Sequence, residues 1–260
     1  MNNNVVAITD SNISIAWAKA FLAVHSSGSA GLTSLFVSIV DLGGEEDPEE
    51  PKIRQILDNE LQKSGKALSS TVASTVFPQS LWNPSQKRQA LYDRYEKGVF
   101  PRLHYCRANQ RGTYFQRMIA FPNGEEPSIN QLEQVLQTWE GGNHRHTALQ
   151  LSIFDPRNDH KHSKRMGFPC LHQVCITPLG PNGSEGLAIT GFYATQHIFN
   201  KAYGNYLGLY RLGKFIAHEI GLNLVQVNCI ASLARMCDSG IIKKESLDIL
   251  AKKLEKQIRT

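Results

Sequence analysis

The chain reads as one domain of mixed helix and strand. Three observations carry that reading. Its 260 residues, 41% hydrophobic and 20% charged, suit a single unit over residues 1–260 that buries its core without staples. Segments with apolar residues three and four apart alternate along it with short runs rich in β-branched and aromatic residues. No internal repeat or low-complexity tract interrupts them. Helices and strands in that order give an α+β or α/β class.

The elements follow in order. Asp10 or Ser11 is placed to cap a first helix, with Ile13, Trp17, Ala20, Phe21 and Val24 on one face and Gly28 as its stop. Leu32 to Val40 reads as a strand. The acidic stretch Glu45 to Pro51 reads as an exposed loop feeding negative charge to the next helix start. Ile53, Ile56, Leu57 and Leu61 form that helix's apolar stripe, and Gly65 ends it. Residues 66–80 are Ser/Thr-rich and read as a loop or irregular strand. Ser128 and Gln131 suggest a capping box, opening a helix with Ile129, Leu132, Val135, Leu136 and Trp139 on one side and Gly141-Gly142 at its end. Leu149, Leu151 and Ile153 alternate with polar residues as a strand does. Strands over Leu171–Thr177 and Leu187–Thr195 flank a Gly/Pro/Asn turn. A helix from Asn205 to Ile220, a strand from Leu222 to Val227 and a last helix after Ser239-Gly240 complete the chain.

Composition excludes several classes. No run of ~18 apolar residues occurs, so no membrane span is expected. The start, Met1-Asn2-Asn3-Asn4, lacks the charged and apolar parts of a signal peptide. Five cysteines without repeated spacing do not make a disulfide framework. A reducing, cytoplasmic setting is the expectation. The net charge of +5 is dispersed except at His160–Arg165. No nucleic-acid motif is visible, so nucleic acid is not expected as a partner.

Cys170, in Phe168-Pro169-Cys170-Leu171-His172, is the candidate nucleophile. A thiol attacks as thiolate, and His172, Lys164 and Arg165 supply nearby positive charge. In a strand, Cys170 and His172 share a face. The competing reading is a cysteine packed in the core. A zinc reading of Cys170, His172 and Cys175 lacks the spacing that zinc ligands need. His144-Arg145-His146 and His218-Glu219 also read as a solvated loop and a helix surface.

Read together, these segments resemble the thymidylate synthases, most clearly from Tyr114 to about Leu212. Tyr114-Phe115-Gln116-Arg117, running to Phe121-Pro122, resembles the family's Tyr-Gly-x-Gln-Trp-Arg run. Ile129-Asn130-Gln131-Leu132 is similar to its Ile-Asp-Gln helix start, and Ser152-Ile153-Phe154-Asp155-Pro156 to its Ser/Cys-Ala-Trp-Asn-Pro. Pro169-Cys170 resembles the Pro-Cys nucleophile, its histidine displaced to His172. Asn205 falls on the pyrimidine-reading asparagine and His197 on an active-site aspartate. Arg145 lies near the paired arginines. Leu91-Tyr92-Asp93-Arg94-Tyr95 resembles the segment lining the folate side, and Asp58, Asn59 and Glu60 straddle the catalytic glutamate.

The resemblance implies an α+β fold with a thymidylate-synthase-like mixed sheet and packed helices. It implies a homodimer formed through sheet faces, a pyrimidine-containing small molecule as substrate and 5,10-methylenetetrahydrofolate as cofactor. Cys170, Tyr114 and His172 would be catalytic. Asn205, His197, Arg145 and Gln196 would hold the substrate; Tyr92, Asp93 and Tyr95 would face the folate. The departures cluster at the phosphate. Tyr193-Ala194-Thr195 stands where the family has its Gln-Arg-Ser clamp, and Cys229-Ile230-Ala231-Ser232 where it has Thr-His-x-Tyr. Without the bidentate arginine, plain dUMP is not the expected substrate. A catalytically inactive binding or assembly protein on the same fold is the alternative.

Overall fold

The computed structural model describes residues 5–44, 48–103, 105–106, 109, 112–142, 144–160, 169–237 and 242–259. They form an α+β fold. The elements are β1 (Val6–Asp10), α1 (Ile13–Ser26), β2 (Leu32–Ile39), α2 (Pro51–Lys63), α3 (Ser69–Val76), α4 (Gln89–Arg94), α5 (Phe100–Leu103), α6 (Tyr114–Ile119), β3 (Phe121–Asn123) and β4 (Glu126–Ile129). Then come α7 (Gln131–Glu140), β5 (Gln150–Ser152), α8 (Pro156–Asp159), β6 (Leu171–Leu179), β7 (Gly186–His197), α9 (Tyr203–Ile220), β8 (Leu224–Arg235) and α10 (Lys244–Ile258). Six strands make one mixed sheet in the order β1-β2-β8-β7-β6-β5. β1 and β2 are parallel, as are β7 and β8; the other neighbours are antiparallel. Each parallel pair needs a crossover, and α1 and α9 supply them.

α1 and α9 cover one face of the sheet, over Leu35, Val37, Ile189, Val227 and Ala231, all buried. α3 packs on the outer side of α9, and α10 on α1 and α2. The approach of α3 is close. A Cβ on Gly204 would sit 2.5 Å from Val72 Cβ, and one on Gly208 2.6 Å from Val76 Cβ.

The opposite sheet face is open. Phe36 (39% exposed) registers with Ile230, and Ile230 with Phe192. Beside them a polar row crosses three strands. Ser38 donates to Asn228 (2.8 Å), Asn228 to Thr190 (3.1 Å), and Gln226 to both Ser38 and Asn228 (3.0 and 2.9 Å).

Several boundaries differ from expectation, for local reasons. Asn12, not Asp10 or Ser11, caps α1, accepting from the N–H groups of Ser14 and Ile15. Asn130 caps α7, while Ser128 belongs to β4. Residues 69–76 are helical although Ser, Thr and Val favour helix weakly. The Asp58 carboxylate of α2 accepts from Ser69 N (2.8 Å) and Ser69 Oγ (3.1 Å), so the start of α3 is capped from another element. β8 runs on to Arg235, well past Val227, because it pairs with β2 and β7 along its length. A π-turn over Ile198–Ala202 precedes α9, so the helix begins at Tyr203 and Asn205 lies inside its first turn. Trp17 of α1 fixes that turn, its Nε1 donating to Ile198 O (2.8 Å). Ser239-Gly240 and Glu45–Asp47 lie outside the described residues.

The glycines of α9 give a stability test. Gly204→Ala and Gly208→Ala should each cost about 1–3 kcal/mol through overpacking against α3. Gly98→Ala, whose Cβ meets nothing within 4 Å, should be neutral or stabilising. Urea unfolding measures all three.

Candidate functional site

The residues around Cys170 come from β6, β7 and α6. Cys170 lies just before β6 and is half-buried. Its carbonyl accepts from Ala194 N (3.1 Å), which ties it to β7, and Leu171 pairs across to Tyr193. Tyr114 opens α6, whose cap is Thr113, accepting from Gln116 N. Thr113 is held in turn by the buried Tyr95 hydroxyl (2.6 Å). From there the Tyr114 hydroxyl reaches the backbone N–H groups of Cys170 and Leu171. Burial first, then the nearby Cys170 thiolate charge, push the Tyr114 phenol above its ordinary range, against those two N–H groups. Tyr114 thus stays protonated at neutral pH.

α6 is anchored from below. Arg117 makes a bidentate pair with Asp159 of α8 (3.1 and 3.0 Å) and also donates to Ile153 O (3.3 Å). Gln131 bridges Arg117 O and Ser152 O at 2.9 and 2.8 Å. Asp155, 1% exposed on its side chain, accepts from Arg157 N, Arg157 Nε and Asn158 Nδ2 and starts α8. These bonds fix the Ser152–Asp159 stretch beside the start of β6. Neither the Arg117–Asp159 pair nor its role has a local signal in the sequence, since the partners lie on different elements.

His172 occupies different ground from that expected. The register of β6 shifts between Leu171 and Gln173, and Cys170 precedes the strand. Strand alternation therefore does not set the two side chains on one face. The His172 ring lies 5.5 Å from the Phe154 ring, which meets His160 at 5.0 Å. Burial lowers the His172 pKa and keeps the imidazole neutral.

Beneath β7 lies a buried polar array. Gln196, 2% exposed, accepts from Tyr206 Oη (3.3 Å) and directs its Nε2 at Cys229 Sγ (3.8 Å). Burial holds Cys229 as a thiol, its pKa pushed up to about 12. Tyr193, 2% exposed, lies alongside Cys229, and its hydroxyl is directed at that thiol.

The other expected residues are dispersed. Asn205, 3% exposed, is the third residue of α9, not its cap, and its amide makes no hydrogen bond among the described residues. His197 pairs with Arg235 at the end of the sheet. Arg145 is exposed in the 144–148 loop. Tyr92 and Tyr95 are 1% and 2% exposed, so both rings are core. Asp93 bonds Gln89 and Lys97 along its own helix. Asp58 caps α3, Glu60 pairs with Lys63 and Lys253, and Asn59 lines a cavity of about 320 Å³ with Glu49, Arg54 and Asp58. A second cavity of about 290 Å³ surrounds Arg88, Glu133 and Glu219. Lys164 and Arg165 lie outside the described residues. Among those described, no three His, Cys, Asp or Glu gather to hold a metal ion, and no helix is long and apolar enough to cross a membrane.

No protein-family model matches the chain, and no curated protein matches it. The neutral His172 makes a pH test. Its folded pKa is depressed, so below about 6.5 the unfolded chain binds a proton that the folded chain refuses. Stability is then lost as pH falls from 7 towards 5. In urea unfolding at pH 7.5 and 5.5, His172→Phe should narrow the gap between the two pH values; an unchanged gap would leave the ring without that role.

Proposed function

We propose that the chain is a divergent thymidylate-synthase-like transferase that attaches a one-carbon unit to C5 of a pyrimidine through a Cys170 adduct. One observation carries the reading. Tyr114, far from Cys170 in sequence, sets its hydroxyl on the backbone N–H groups of Cys170 and Leu171, which supports reading these two motifs of the resemblance together. The Asn205 amide, 3% exposed and without a hydrogen bond among the described residues, adds a group able to read a carbonyl and an N–H together.

In this mechanism the Cys170 thiolate bonds to C6, and the C5–C6 π electrons move to C5 and O4 as an enolate. C5 then attacks a one-carbon electrophile of the C=N class, whose π electrons return to nitrogen, and the carrier amine leaves as water or a hydride donor adds to the transferred carbon. Loss of the C5 proton and cleavage of the S–C6 bond restore the double bond. Tyr114 positions the ring or a water for that proton transfer. The resemblance names 5,10-methylenetetrahydrofolate as the donor, but Tyr92 and Tyr95 do not fit a folate-facing role while they are core side chains. No step is assigned to the folate. β7 offers no arginine, which favours a nucleoside or a modified pyrimidine over dUMP. A reduced Cys170 suits the cytoplasm.

The alternative is an inactive binding or assembly protein, favoured by Tyr193-Ala194-Thr195 and Cys229-Ile230-Ala231-Ser232 standing where the resemblance would have phosphate-holding groups. Incubation with 5-fluorouracil nucleosides and nucleotides, with and without methylenetetrahydrofolate, followed by denaturing mass spectrometry, separates the two. An adduct on Cys170 that vanishes in Cys170→Ser is expected. No adduct, together with a Cys170 inert to iodoacetamide, would sink the transferase reading.

We also propose a homodimer that buries the open sheet face. Phe36, Phe192 and Ile230 supply apolar surface, and the Ser38–Asn228–Thr190 row is already hydrogen-bonded, which lowers the cost of covering it. Sedimentation should find a dimer at micromolar concentration, and Phe36→Glu should shift it to monomer.

A further inference from the structure

The open face of the sheet is ordered by register. Residues directly opposite one another on neighbouring strands share a face. Pairing therefore extends the polar row over the whole sheet, from Thr9 through Ser38, Asn228, Thr190 and Cys175 to Gln150. The apolar row beside it, through Phe36, Ile230 and Phe192, runs on over Gln173. No side chain in either row is buried. Neither row holds an Asp, Glu, Lys or Arg, although 20% of the chain is charged. Depletion of charge marks the core of an interface, and a charged partner finds nothing here to pair with.

The hydrogen bonds of the polar row leave a remainder. Gln226 uses both of its amide hydrogens, on Ser38 and Asn228, and Ser38 uses its own on Asn228. Asn228 gives one amide hydrogen to Thr190. Among the described residues, Gln226 Oε1 is then without a donor, and the other Asn228 hydrogen and the Thr190 hydroxyl hydrogen are without acceptors. A surface with both kinds left over is complementary to a copy of itself turned about a two-fold axis, because each contact then occurs twice. We propose that the polar row fixes the orientation of two copies of this chain packed face to face: Gln226 Oε1 of each copy accepts from Asn228 or Thr190 of the other. The inference rests on the reading of the open face as a homodimer interface. The apolar contacts of Phe36, Ile230 and Phe192 are non-directional, so they hold two faces together in several orientations. Buried polar pairs add little affinity but select one of them.

Cross-linking reads orientation directly. Isotope-labelled and unlabelled protein are mixed, lysines are cross-linked, and mass spectrometry picks out the pairs that join two copies. The unaltered dimer should give one set of pairs, compatible with a single two-fold axis. Gln226→Met together with Thr190→Val removes the remainder at nearly constant side-chain volume. That variant should stay dimeric, its dissociation constant within about threefold of the original or lower, while links between copies spread to pairs absent from the original set. Links that do not change overturn the role of the row and leave the homodimer standing. A monomeric variant also overturns it, because the row would then supply affinity rather than orientation. An unaltered protein that is monomeric at micromolar concentration takes down the homodimer and this inference together. If the double variant does not fold, Thr190→Val alone gives the same readout, since valine is close in shape to threonine and favoured in strands.

Discussion

The arrangement depends on how close α9 lies to its neighbours. The helix is the crossover between the two central parallel strands, β7 and β8, and it is also the floor under α3. Gly204 and Gly208 let α3 settle against its backbone, where even a methyl group would collide. On its other side Leu209 fills the space above Gly191. With α9 fixed at that height, Tyr206 reaches Gln196, Tyr203 reaches Ser14 at 2.8 Å and Glu49 at 2.6 Å, and the first turn brings Asn205 into the interior. α6 contacts α3, so the position of Tyr114 follows from the same packing.

Around Cys170 the chain spends polar groups in a dry place. Tyr114, Tyr193, Tyr206, Gln196 and Cys229 are all buried or nearly so, and most find partners among themselves. Such networks are costly when incomplete and rigid when complete.

Much of the fold was legible because the core faces keep their periods. The stripes of α1, α2 and α7 and the strands β2, β6 and β7 emerge from the spacing of apolar residues. What escaped was fixed at a distance. α3 is helical through a cap borrowed from Asp58 and burial against α9, neither of which Ser69–Val76 announces. β1 is only Val6–Asp10 and gains its strand character from pairing with β2. At the site, the meeting of Cys170 and Tyr114 followed from motif order. The packing of the His172 ring near Phe154 did not, because the two rings come from different segments. The burial of Tyr92 and Tyr95 was equally hidden, since an aromatic spaced along a helix looks alike whether it faces a ligand or the core.

The density of buried phenols carries a further consequence on the alkaline side. Burial raises the pKa of Tyr92, Tyr114, Tyr193, Tyr203 and Tyr206, and that of Tyr95 to about 12. A free phenol releases its proton near pH 10. Above that, the unfolded chain sheds six protons that the folded chain retains, and each adds to the pull towards unfolding. The tyrosines that build the interior thus set a ceiling on the base the fold endures. Their ultraviolet ionisation signal would arrive all at once, as a report of collapse of the fold rather than of six separate titrations.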